Sequence, residues 1–219
     1  MDQFASSNAY DFPHWQRSSL KIEMWNPDAR RRFSVSYNEC YFECDFPDNA
    51  DREVELGLNA MEHALKKFDV PTILRMGVVK MYAFPASDAS FEDLALRLET
   101  KLHVPFHKIH AFDECQLADL AYTLCVKTQS YPQWIHTVSA GPMTRDELLD
   151  RFPFNPKYLS SNQESTKKLL DSLPALILYL SDDVAVKNES RQAAMRAAPE
   201  VVRFGDGIAY KLRQYLGEM

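Results

Sequence analysis

Residues 70–85 read VPTILRMGVVKMYAFP, and this stretch decides how the chain is divided into elements. Thr72, Leu74, Met76, Val78, Lys80 and Tyr82 fall on one face of an extended chain, and Ile73, Arg75, Gly77, Val79 and Met81 on the other. Both faces are largely apolar, which predicts a central strand covered on both sides. Arg75 is the anomaly, because a covered guanidinium needs a carboxylate or a bound anion. The structural reading is an ion pair with Glu39, Glu43 or a helix carboxylate. The functional reading is an anion or partner contact made from a rigid strand. The structural reading is favoured, since buried charges are usually paired. Lys80, near the strand end, reads as snorkelling to water.

Outward from this strand the pattern alternates between helix and strand. Upstream, Val54, Leu58, Met61, Leu65 and Phe68 recur at steps of four and three, predicting a helix over 51–68. Downstream, Ser90 with Asp93 opens a second helix striped by Phe91, Leu94, Ala95, Leu98 and Leu102. A strand is expected from Leu20 to Trp25, followed by a turn at Asn26-Pro27-Asp28. A long strand is expected from Phe33 to Phe46, with a bulge or break where the apolar parity switches at Asn38-Glu39. In the second half, 117–127 alternates with Ala118, Leu120, Tyr122, Leu124 and Val126 inward, and Tyr131 to Ser139 is its hairpin partner, ended by Gly141-Pro142. Thr144 to Glu147 and Ser161 to Glu164 are capping boxes for two helices. PALILYL, residues 174–180, is a central strand, and residues 189–218 are helical with interruptions at Pro199, Gly205 and Gly207.

These elements predict an α+β protein with a largely antiparallel sheet of about six strands and helices packed on it. The element order of residues 20–105 nearly repeats in 106–219, giving two similar halves within one domain, 20–219. Residues 1–19 read as an N-terminal arm whose Phe4, Tyr10, Phe12 and Trp15 are apt for packed contacts with a partner.

Composition bounds the function. The chain has 219 residues, 46% hydrophobic, with a formal charge of -6. That is enough for a sizeable core, and the acidic balance argues against general nucleic-acid binding. No apolar run approaches the ~20 residues of a membrane span, and the N-terminus lacks the pattern of a secretory signal. Four cysteines in a long chain without an export signal read as reduced thiols, so the expected location is cytoplasmic. Cys40 and Cys44 would lie ~13 Å apart on one strand, too far to pair without a bend.

Sites are sparse. His103, His107 and His110 have spacing that a zinc site could use, with Asp113, Glu114 and Cys115 nearby, but Pro105 argues against one helix carrying all three. The favoured reading is loop or surface histidines, and no metal or cofactor is expected. Arg30-Arg31-Arg32 reads as a solvated hairpin turn rather than a phosphate site. Cys125 would stand near His136 if the hairpin forms, a pairing that could make a nucleophile only with a third, orienting residue. The chain has no Walker loop, G-x-S-x-G or G-x-G-x-x-G motif.

The stretch from Val70 to Leu94 resembles the centre of a sporadically distributed family of uncharacterised bacterial proteins, which carry an Arg-Leu-Gly-Leu-Arg-like strand after a helix. Arg75, Met76, Gly77, Val78 and Val79 match it, with Val79 in place of the second arginine. Lys80-Met-Tyr82 matches the tyrosine-containing continuation, and LILYLSDDV matches a late strand ending in acidic residues, here Asp182 and Asp183. The resemblance implies a cytoplasmic α+β protein and transfers no catalytic residue. The leading expectation is a non-enzymatic interaction protein, one part of a bacterial multi-protein system, that binds a protein partner or itself. The alternative is a small-ligand or anion-binding domain, with or without catalysis, using Arg75, Lys80 and Glu43.

Overall fold

The computed structural model describes residues 10–88, 90–102, 120–129, 133–151, 168 and 171–216. In chain order the elements are β1 (His14–Arg17), β2 (Lys21–Asn26), β3 (Arg31–Ser36), β4 (Cys40–Cys44), α1 (Ala50–Lys67), β5 (Thr72–Pro85), α2 (Phe91–Leu102), β6 (Tyr122–Lys127), β7 (Ile135–Thr144), α3 (Arg145–Arg151), β8 (Leu176–Ser190) and α4 (Arg191–Leu216). The strands form two four-stranded sheets, ordered β1-β2-β3-β4 (sheet A) and β5-β8-β7-β6 (sheet B). The α+β class with antiparallel pairing agrees with the sequence pattern. The single sheet of about six strands does not, because eight strands among the described residues divide between two sheets. The described residues form two compact units, one holding 10–73, 168, 171 and 190–196, the other 74–151, 172–189 and 197–216.

In the first unit sheet A is a meander of hairpins. Ile22 and Met24 alternate inward on β2 and pair with Val35 and Phe33 of β3. The long strand expected from Phe33 to Phe46 is two strands. Its parity switch at Asn38-Glu39 is a hairpin turn, where Ser36 Oγ accepts from the Glu39 N–H and donates to the Asn38 side chain. Residues 10–17 belong to this unit rather than to a free arm. Phe12 is buried against Phe33 and Phe42, the Tyr10 hydroxyl lies 2.9 Å from His63, and β1 pairs with β2. Trp15 is left partly exposed on β1.

α1 starts at Asn49, whose side chain accepts from the Arg52 N–H at 3.0 Å, and carries acids in its first turn and lysines in its last. It ends in a Schellman turn: Asp69 takes the left-handed conformation (φ 51°) and Val70 N–H returns to the Leu65 carbonyl. The Arg191 guanidinium caps the same end, donating to the Leu65 and Val70 carbonyls. The three arginines expected in a solvated turn are drawn into ion pairs. Arg30 meets Asp48, Arg31 meets Glu53 at 2.6 Å and Asp11 at 3.3 Å, and Arg32 meets Glu23 and Glu43.

Cys40 and Cys44 lie on β4 as free thiols, and burial pushes both up to about 12. A thiol with so high a pKa holds almost no thiolate near pH 8. Cys125 is free and exposed. Brief alkylation of the native protein should therefore label Cys125 well before Cys40 or Cys44, as read by peptide mass mapping. Equal labelling of all three would show that β4 is not packed as described.

In the second unit β8 is a central strand, longer than residues 174–180 suggested, and it pairs with β7 from Leu176 to Ala185. Backbone bonds from Ala86 N–H to Leu176 O and from Arg191 N–H to Pro71 O fix the β5–β8 pair as antiparallel. β5 is an edge strand of sheet B, and its odd-numbered face is open. That corrects the expectation of a central strand covered on both sides.

β7 runs through Gly141-Pro142 to Thr144. Pro142 stands past the end of β6, whose last partner is Ala140, so its missing N–H interrupts no bond on that side. The capping box at Thr144 is closed in both directions, Thr144 N–H to Glu147 Oε2 at 2.7 Å and Glu147 N–H to Thr144 Oγ1 at 3.2 Å. α4 is continuous through Pro199, Gly205 and Gly207. Its buried stripe, Ala198, Val201, Val202, Gly205, Ala209 and Leu216, keeps helical spacing across them, and Pro199 faces solvent. Tertiary burial thus outweighs the local breakers. Among the described residues no helix is long and apolar enough to cross a membrane.

Candidate functional site

The polar groups of the second unit are sorted by the two faces of sheet B. On the covered face, every second residue of β8 from Leu178 to Val186 is buried, and Asp182 stands in that row. Diagonally across from it on β7 is His136, fully buried in the row with Val138 and Ala140. His136 Nδ1 lies 2.9 and 3.1 Å from the two Asp182 oxygens and donates to them. Burial pushes the Asp182 carboxyl up, the His136 hydrogen bond opposes this, and the nearby Asp183 and Asp206 charges add to the rise. His136 Nε2 is buried without a hydrogen-bond partner among the described residues. Phe204 of α4 lies edge-on to the imidazole, 5.2 Å between ring centroids.

Gly205 follows Phe204 directly over this pair. A Cβ there would stand 1.9 Å from Asp182 Oδ2, so only glycine lets α4 lie so close to the carboxylate. The next residue, Asp206, receives Lys80 Nζ at 2.5 Å and the Tyr82 hydroxyl. Arg213, two helical turns on, covers the Phe84 ring at 4.3 Å. The covered face therefore holds α4 by a row of polar contacts inside an apolar layer.

The opposite face carries Arg75, Val79 and Met81 on β5, Ser181 and Asp183 on β8, Thr137 and Ser139 on β7, and Thr123 and Cys125 on β6. Arg75 Nη2 lies 3.6 Å from Asp183 Oδ1 and its side chain is 58% exposed. Thr123 and Ser139 hydroxyls are 3.1 Å apart. Beyond them the face borders a shallow depression of about 270 Å³ lined in part by Thr123, Ser139, Gly141, Glu147 and Tyr179. Leu74, Val79 and Met81 are 80%, 57% and 46% exposed, three large apolar side chains along one edge strand.

The residues expected to form a ligand site are not brought together. Arg75 and Lys80 point to opposite faces of β5. Glu43 lies on β4 in the other unit, 3.3 Å from Arg32. The partner expected for Arg75 among Glu39, Glu43 or a helix carboxylate is instead Asp183 on the adjacent strand. Cys125 and His136 fall on opposite faces, since Cys125 pairs with Thr137 and Val126 with His136, so they form no dyad. His103, His107 and His110, with Asp113 to Cys115, lie outside the described residues. Among those described, no three His, Cys, Asp or Glu side chains converge on a metal. His136 and Asp182 were named separately from sequence and their pairing was missed, although both carry a sequence signal: each sits at the buried parity of an otherwise apolar strand.

Comparison with protein-family models, curated proteins and solved structures found no match to this chain.

Proposed function

We propose that this chain is a non-enzymatic cytoplasmic interaction protein, a component of a multi-protein system, that takes an extended protein segment along β5. The observation that carries the reading is the character of that edge. β5 runs for 14 residues and exposes Leu74, Val79 and Met81, whereas the other edges among the described residues, β1, β4 and β6, have four, five and six. Long apolar edges invite strand addition, in which backbone bonds give affinity and alternate side chains give selectivity. The ligand-binding reading has less behind it, because Arg75 and Lys80 diverge and Glu43 is engaged elsewhere. The buried His136–Asp182 pair has no nucleophile beside it among the described residues, which favours binding over catalysis.

Selection from a library of unstructured peptides should return alternating apolar sequences. Val79→Lys with Met81→Lys should weaken their binding at least about tenfold, roughly 1.4 kcal/mol. Binders that ignore both substitutions, or no binders, would overturn the reading.

A further inference from the structure

We infer that the segment received at β5 is the β5 of a second copy, paired antiparallel across a two-fold axis so that two sheets B join into one eight-stranded sheet. The inference rests on the strand-addition reading and names its partner. Edge strands are ordinarily guarded by charges projecting from them, by prolines within them, by bulges or by brevity. β5 has only two charges. Lys80 is turned to the covered face and held by Asp206, and Arg75 is engaged across the sheet by Asp183. The prolines at 71 and 85 bracket the strand without interrupting it. At ~3.3 Å per residue the edge is about 46 Å long.

A second copy meets this edge with an identical one, so a single isologous contact satisfies both. The sequence is compatible with that symmetry. In a continuous two-fold sheet, facing residues share a face, so their numbers sum to an even value. Arg75 and Lys80 can then never stand opposite each other. An axis at Val78 places Arg75 against Met81 and Lys80 against Met76; an axis at Val79 places them against Ala83 and Val78. Arg75 would meet its own copy only about an axis at residue 75, which leaves half of the strand unpaired. Like charges face each other only about an axis at residue 75 or at residue 80; the registers about Val78 and Val79, which pair the most residues, avoid both and fill the centre with apolar pairs.

The test combines sedimentation velocity over a range of concentrations with hydrogen exchange of the β5 amides. A reversible dimer is expected, with β5 protection rising as it forms. Val79→Lys, which sets two ammonium groups near the axis, should weaken it at least about tenfold. Met81→Lys is the second variant should Val79→Lys not fold. A dimer that neither protects β5 nor responds to the substitutions overturns the inference. A monomer with fast-exchanging β5 amides also overturns it, but leaves the edge open to a different partner. A monomer whose β5 amides are protected at every dilution means the chain covers its own edge, and the strand-addition reading falls as well.

Discussion

Gly205→Ala should destabilise the protein by about 3 kcal/mol, the upper range for overpacking a buried contact. The added methyl would stand 1.9 Å from Asp182 Oδ2 and 3.2 Å from its Cγ. The carboxylate cannot swing aside freely, since it is buried and tied to His136 Nδ1. Either that hydrogen bond breaks or α4 lifts from the sheet, loosening Asp206 from Lys80 and Tyr82. Opposing this is the helix preference of alanine over glycine, about 1 kcal/mol. Gly207 measures that preference alone, because nothing lies within 4 Å of a Cβ built on it. Gly207→Ala should therefore leave stability unchanged or raise it. In an Asp182→Ala background the cost of Gly205→Ala should largely vanish, a coupling that a double-mutant cycle reads directly. If chemical denaturation showed Gly205→Ala and Gly207→Ala behaving alike, the close approach of α4 to Asp182 would be wrong.

The contrast between those two glycines shows what the sequence could and could not say. Both read as interruptions of a helix, because local preference is all that a glycine displays in sequence. What keeps α4 whole is the stripe of Ala198, Val201, Val202, Ala209 and Leu216, whose burial depends on a sheet that is distant along the chain. α1, α2 and the α3 capping box were legible because their signals, a 3.6-residue stripe and a side chain three residues from its partner, are local. The strand at 70–85 was legible too, but its place in the sheet was not. An apolar residue on each face reads the same whether a layer covers it or a partner would. Val79 and Met81 therefore suggested a buried strand and stand exposed on an edge. Likewise the parity switch at Asn38-Glu39 was visible, and either a bulge or a turn could explain it. The candidate site was legible only in part. Arg75 was noticed as a charge on an apolar strand, whereas His136 and Asp182 broke the pattern more deeply. Their significance lies in register, which sets β7 beside β8 across 46 residues of chain.

That register makes the second expectation sharp. His136→Leu should cost about 3 kcal/mol near pH 7, because it leaves a buried carboxylate without its donor. Replacing Asp182 by leucine as well should recover most of the loss, since an apolar pair suits the surrounding layer. The carboxyl's part can be isolated by pH. Burial already holds Asp182 above its ordinary value of 3.8 in the folded chain, and the hydrogen bond and charge of His136 pull the other way. Without His136 the folded value rises further. A group whose folded pKa exceeds its unfolded pKa favours folding fully only below the unfolded value, and that contribution is lost as pH rises through the folded value. His136→Leu should therefore be less stable than His136→Leu with Asp182→Asn at neutral pH, and the gap should close as pH falls toward 4. Both proteins lack the histidine, so its own titration cancels from the comparison. A gap that stays constant from pH 7 to 4 would mean that Asp182 titrates in the folded variant as it does unfolded, so burial does not raise its pKa. The pair would then be an ordinary polar contact, and the closeness of Gly205 would rest on shape alone.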